Sequence, residues 1–316
     1  MTEPREPTVF HADEGIWLWW LGHRIRYLAT KAETDGQYSA SVGLAKQGGK
    51  APPHSHEFDE GFYVLNGEIE FFAGNQSVVL GQGDFINISA GITHYPRILS
   101  ESAETLVIAA PTGFDQFQFE AGQRLSEKTS QPTKTTAEVM SDIQRIAPKY
   151  GIDVNPPEAS LNVEPRIHVT RSSEGEIVDA VGDRYRFLAE GDHTDGTYAI
   201  WHATISPGGG PPPHVHTQED EAFFVLNGEL IFEADGKSFV GKQGTFVNLP
   251  KGSRHRFSNS SGTPAEVLIL VAPSGLEKMF RRTGTLIEDV SIPITIPSIE
   301  EKHRLVDIAP EFGIEL

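Results

Sequence analysis

The sequence predicts an all-β chain of two tandem domains, each a small antiparallel barrel or jelly roll closed by a helix at its C-terminal end. Three observations carry this. The chain of 316 residues repeats itself once, its apolar residues fall in short alternating runs ended by turn residues, and the same four potential metal ligands occur in each copy. A length of 316 residues suits two domains of ~100–200 residues. A repeat of half the chain is too long for a solenoid or propeller unit, which runs ~20–50 residues.

Gly22-His23-Arg24-Ile25-Arg26-Tyr27-Leu28-Ala29 returns as Gly182-Asp183-Arg184-Tyr185-Arg186-Phe187-Leu188-Ala189, and Thr34-Asp35-Gly36 as Thr194-Asp195-Gly196. Pro52-Pro53-His54-Ser55-His56 returns as Pro212-Pro213-His214-Val215-His216. The offset is 160 up to this point and 161 after the carboxylates Glu60 and Glu221, where Phe62-Tyr63-Val64-Leu65-Asn66-Gly67-Glu68 returns as Phe223-Phe224-Val225-Leu226-Asn227-Gly228-Glu229. Near the end of each copy, at an offset of 162, Ile146-Ala147-Pro148 matches Ile308-Ala309-Pro310. The polar, proline-containing stretch from Asn155 to Pro165 carries no periodic pattern, so the expected domains are 1–158 and 159–316.

Strands of about five residues with period-two alternation, and no helical pattern between them, favour an antiparallel sheet. Asn66-Gly67, Asn227-Gly228 and Asp235-Gly236 read as tight hairpin turns, because both central positions of a primed turn need positive φ. Helix is expected only at the end of each half. Thr135-Thr136-Ala137-Glu138 forms a capping box ahead of an apolar stripe of Val139, Ile143 and Ile146, and Ser298-Ile299-Glu300-Glu301 opens the second helix. Pro148 and Pro310 should distort the last turns before Gly151 and Gly313. These helices read as packing braces.

Composition excludes several classes. A net charge of −18 repels backbone phosphates, which argues against a nucleic-acid partner. With no cysteine there is neither a disulfide framework nor a thiolate ligand. No stretch reaches membrane-spanning length, and Met1 to Gly15 is polar without a signal-like apolar core, so the expected location is cytoplasmic. An anionic substrate would need local positive charge, from a metal or from Arg97, Arg254 and Arg256.

The chemistry is carried by His54, His56, Glu60 and His94, and again by His214, His216, Glu221 and His255. Three imidazole nitrogens and one carboxylate oxygen suit a divalent first-row metal, and residues two apart on a strand share a face. Phe62 and Val64 should share the face of Glu60, as Phe223 and Val225 should that of Glu221, and line an apolar pocket beside each metal. Residue types leave iron, manganese, cobalt, nickel, copper and zinc open, with up to one ion per domain. A lone inward His-x-His is usually a satisfied core pair; two full sets reverse that. His11, His23, His168, His193, His202 and His303 fall outside the pattern and receive no function.

This spacing resembles the cupin superfamily. Its first motif, Gly, five residues, His-x-His, three or four residues, Glu, six residues, Gly, is matched from Gly48 to Gly67 and from Gly208 to Gly228. Its second is matched fully by Gly244, Pro250, Gly252, His255 and Asn259, and in the first half by Gly83, Gly91 and His94, with Ser89 and Ile98 replacing the proline and asparagine. The chain as a whole resembles bicupins of the quercetin 2,3-dioxygenase family. That resemblance implies metal held by the two His/Glu sets, dioxygen and an aromatic substrate as partners, and opening of a flavonol ring. It also implies that Glu60 or Glu221 takes the substrate's hydroxyl proton, a role open to any carboxylate within reach of the substrate.

Two other readings stand beside it. Oxalate decarboxylase-like bicupins share the ligand set but carry an arginine three residues before the first ligand histidine, where this chain has Ala51 and Pro211. A pirin-like metal-binding sensor is the non-catalytic alternative. Which half turns over, and whether the chain forms a homodimer, are left open by the sequence.

Overall fold

The computed structural model describes residues 5–48 and 51–316. Gly49 and Lys50, inside the spacer of the first motif, and the first four residues of the polar N-terminal stretch lie outside the described residues. The chain divides into two compact units, and each is a two-sheet jelly roll as the alternating runs imply.

The first unit spans Glu14–Glu174. Its larger sheet runs, edge to edge, Gln123–Leu125, Ile16–Trp20, His23–Ala29, Ser39–Lys46, Ser102–Ala110, Asp59–Asn66, Phe85–Ile88, Ile167–Thr170. The smaller runs Asp153–Val154, His54–Ser55, His94–Ile98, Ile69–Ala73, Gln76–Leu80. The second unit, Gly175–Leu316 together with the segment up to Asp13, repeats this order of eight and five strands. These units differ from the expected halves 1–158 and 159–316. Ile167–Thr170 pairs with Phe85–Ile88 in the first unit, and its repeat counterpart Thr8–Phe10 pairs with Phe246–Leu249 in the second. The strand that opens each copy thus completes a sheet of the other unit, which sequence periodicity alone cannot reveal.

The hairpin expected at Asn66-Gly67 is a corner instead. Asp59–Asn66 pairs with Ser102–Ala110 and Phe85–Ile88, whereas Ile69–Ala73 pairs with His94–Ile98 and Gln76–Leu80, so the chain changes sheets there. Only the glycine has positive φ, +88°, and a Cβ on it would lie 2.4 Å from the Ser102 carbonyl oxygen. Asn227-Gly228 is the same corner in the second unit. True two-residue turns with positive φ at both positions occur at Asp235-Gly236, as expected, and also at Leu21-Gly22 and Val181-Gly182, which lack a polar turn signature. Gly67→Ala is expected to cost ~1–3 kcal/mol from backbone conformation alone, before the clash with Ser102. A urea midpoint that falls at constant m-value measures it.

Both capping boxes form, with Thr135 and Ser298 as N-caps of Thr136–Ile146 and Ile299–Ile308, and each helix tightens to 3₁₀ geometry at its proline. Helix is not confined to the ends, however. Phe114–Ala121 and its counterpart Glu277–Thr283 follow the last long strand of each unit. The first of these matters for the site.

Candidate metal centre

The candidate ligands reach one point because the two sheets face each other. His54 and His94 are direct cross-strand partners on the smaller sheet, as are His214 and His255. Glu60 stands on the larger sheet between Ala109 and Ile88, and Glu221 between Val271 and Leu249. In each unit the three ring nitrogens and the carboxylate oxygen lie within 4.8 Å of one another, and none of the eight residues is more than 8% exposed, His54 being the most open.

Hydrogen bonds fix the tautomers. Nδ1 of His54, His56 and His94 lies 2.8–2.9 Å from the carbonyl oxygens of Pro52, Phe58 and Ile92. A carbonyl only accepts, so each Nδ1 carries the proton and each Nε2 of a neutral ring presents a lone pair. Those lone pairs point at Glu60, with Oε2 at 3.1 Å from His56 and 2.9 Å from His94. In the second unit, Nδ1 of His214 and His255 meet the Pro212 and Ser253 carbonyls, and Nε2 of His214 and His216 are 3.0 Å apart. Lone pairs facing each other and a carboxylate at this distance repel unless a proton or a metal ion lies among them. The separations also suit donors sharing one ion at ~2.1 Å. The residues present fit a divalent metal in both units.

Electrostatics agrees. Burial, with the neighbouring rings His94 and His56, pushes His54 down to about 3, and burial with His255 pushes His214 down to about 4, so both rings are neutral at ordinary pH. Burial opposes ionisation of Glu60, but its contacts with His56 and His94 hold the carboxyl below the usual range. Glu221, buried too, is brought down to about 2 by His216 and His255. Both glutamates are carboxylates, able to accept a proton and to ligate.

The two interiors differ. A cavity of about 140 Å³ opens beside His54 and Glu60, against about 60 Å³ beside His214, His216 and Glu221. The repeat explains the difference. Ser41, Gly43 and Pro96 line the larger cavity where the second unit has Trp201, Ala203 and Phe257. Trp201, fully buried, packs edge-on against Phe187 and Phe280. At the corresponding places in the first unit, Tyr27 donates a 2.5 Å hydrogen bond to the Gln118 side-chain oxygen, and Gln118 lines the cavity. In the second unit the interior forms one continuous apolar cluster; in the first, the cavity separates a cluster around Leu18 and Phe117 from one around Phe62 and Phe71.

Of the expected pocket residues, Phe62 lines the larger cavity. Val64, Phe223 and Val225 do not line the cavities beside the ligands; they are fully buried in the cores, Val64 one pleat deeper than Phe62 and Phe223 packed on Phe232 and Phe257. The expected cationic groups also point elsewhere. Arg97 pairs with Glu70, Arg256 pairs with Glu233, and Arg254 is exposed. Among the described residues lining the larger cavity there is no Lys or Arg. The sequence reading missed His23, Ser41, Phe114 and Gln118, which line that cavity; the Nδ1 of His23 is buried there with no hydrogen-bond partner. The departure of Ser41 from Trp201 across the repeat was the available signal.

A model of the cupin domain matches residues 41–109 and 201–271, one stretch in each unit. Quercetin 2,3-dioxygenase of Bacillus subtilis (strain 168) is 23% identical over 296 residues, which cover 89% of this chain and 87% of that protein. Among solved structures, Bacillus subtilis oxalate decarboxylase, with Mn(II) centres, superposes with a TM-score of 0.59 at 17% identity, covering 87% of this chain and 79% of that one. Oxalate decarboxylase of Lactobacillus farciminis gives 0.59 at 15% identity, covering 88% and 91%. No described helix is long and apolar enough to cross a membrane. Two jelly rolls, each with its own His/Glu cluster and each containing a stretch matched by the same cupin domain model, give this chain two cupin domains in tandem.

Proposed function

We propose that the protein is a metal-dependent dioxygenase acting on a flavonol or a related enolic aromatic compound, and that turnover takes place in the first unit. The carrying observation is the apolar cavity of about 140 Å³ that meets Glu60 and His54. It is close to the ~150 Å³ that accepts a benzene ring, so the ring bearing the enolic hydroxyl fits beside Glu60 and any further ring must lie outside it. The second interior, at about 60 Å³, has no such room.

His54, His56, His94 and Glu60 would hold the ion. A bound divalent metal supplies Lewis acidity toward the substrate oxygen and, for a redox-active ion, a path for electrons to dioxygen. Glu60 accepts the hydroxyl proton at Oε2, leaving the electron-rich enolate that reacts with dioxygen. Phe62 and Phe114 exclude water from the ring. Gln118, anchored through its oxygen by Tyr27, turns its amide donor to a substrate oxygen, and Ser41 and His23 offer further polar contacts.

The oxalate reading draws support from the shared fold, but beyond a bound metal the described cavity wall offers a dianion no Lys or Arg, with Ala51 at the position where an arginine would sit. The test is oxygen uptake by metal-reconstituted protein across flavonols, single-ring enols and phenols, with oxalate as a parallel substrate. Oxygen consumption with ring cleavage is expected. Carbon dioxide release from oxalate with no aromatic turnover overturns the proposal.

A further inference from the structure

The two clusters differ at one buried position that the repeat makes exact. Between His-x-His and the glutamate ligand the first unit has Glu57, Phe58 and Asp59, and the second has Thr217, Gln218, Glu219 and Asp220. The extra residue changes what stands behind the second histidine. In the first unit Nδ1 of His56 donates to a neutral acceptor, the Phe58 carbonyl, and the Phe58 ring lies flat on the imidazole at 3.7 Å. In the second unit Nδ1 of His216 donates at 2.9 Å to the carboxylate of Glu219, whose side chain is 6% exposed. Asp59 and Asp220 lie outside this contact: each accepts a backbone N–H from the loop after the adjoining strand, Ala90 and Lys251 respectively, and Asp220 is further paired with the Arg5 guanidinium.

A carboxylate behind a ligating imidazole does two things. It strengthens the ring as a donor by drawing on the Nδ1 proton, and it adds negative charge where low dielectric keeps charge effective. Around a divalent ion the first cluster offers one carboxylate and the second offers two. We propose that Glu219 makes the second-unit cluster the tighter of the two metal sites, so that the ions load in order, first beside His214, His216, Glu221 and His255, then beside the cavity of the first unit. This division holds whether or not the chain is an oxygenase. It gives the chain one firmly held ion in a filled interior and one more readily exchanged ion where substrate has room.

The test is titration of the metal-stripped full-length protein with Co(II), followed by its visible absorption and by calorimetry. Two phases are expected, and His255→Ala should abolish the tighter one while leaving the weaker. Glu219→Gln keeps a hydrogen-bond acceptor but removes the charge; it is expected to weaken the tight phase ~10–100-fold, to shift its Co(II) absorption band, and to leave the weaker phase in place. A role of Glu219 in folding alone would instead lower the thermal stability of the metal-free variant and move neither the band nor the ratio of the two affinities. A tight phase unaltered in Glu219→Gln, or one abolished by His94→Ala rather than His255→Ala, overturns the proposal.

Discussion

Glu60→Gln is expected to lower kcat for the organic substrate by ~10²–10⁴ at saturating metal, the range a positioned general base contributes, and Glu221→Gln to cost far less. The reason lies in reach. Glu60 is a wall residue of the larger cavity and a carboxylate at working pH, so a ring seated there meets Oε2 directly. Glu221 has an equivalent ligand position but borders a space too small for a ring. Glutamine keeps the size and one oxygen, so the strands around position 60 lose no packing. Oxygen uptake and metal content are measured on the same samples. Metal content separates the two functions of the carboxylate: a variant with full occupancy and no turnover has lost a base, whereas one with an empty site has lost a ligand. Equal losses in both variants would remove the assignment of turnover to the first unit.

How much of this the sequence carried depends on what each residue needs from its surroundings. The two His/Glu clusters were legible because a candidate metal site imposes residue type and spacing together, and the strand period then fixes the face. Asn66-Gly67 misled for a physical reason. Gly67 is required by its positive φ and by the Ser102 carbonyl, which occur at a sheet corner as readily as in a hairpin, and the pairing that tells these apart is non-local. The opposite error occurred at Leu21-Gly22 and Val181-Gly182, where sheet twist holds nonpolar residues at positive φ with no local signal. Ser41 and Trp201 were visible as a mismatch in the repeat, but its meaning rests on knowing that both positions face inward and that Phe280 and Gln118 stand opposite them. Those two belong to the helices Glu277–Thr283 and Phe114–Ala121, segments too short to carry a clear helical period. Glu219 was likewise visible as one residue more between ligands, and only the folded loop shows its carboxylate behind His216.

Ser41→Trp tests the asymmetry directly by giving the first unit the side chain of the second. Ser41 lies on the strand Ser39–Lys46 at the cavity wall, facing space about as large as the benzene-sized voids that proteins enclose, so an indole can occupy the room a substrate ring would use. The gain in buried apolar area offsets the strain of repacking, and the variant is expected to melt within a few degrees of the parent. Turnover should fall more than a hundredfold, through a rise in KM or complete loss, because substrate and indole exclude each other. Metal binding should persist, since none of His54, His56, Glu60 and His94 changes and their tautomers are set by backbone carbonyls the substitution does not touch. Calorimetry with Co(II) and oxygen uptake read the two quantities separately. Retained turnover in a folded Ser41→Trp protein would mean that the substrate does not use this cavity, and the reaction would have to be sought elsewhere in the chain.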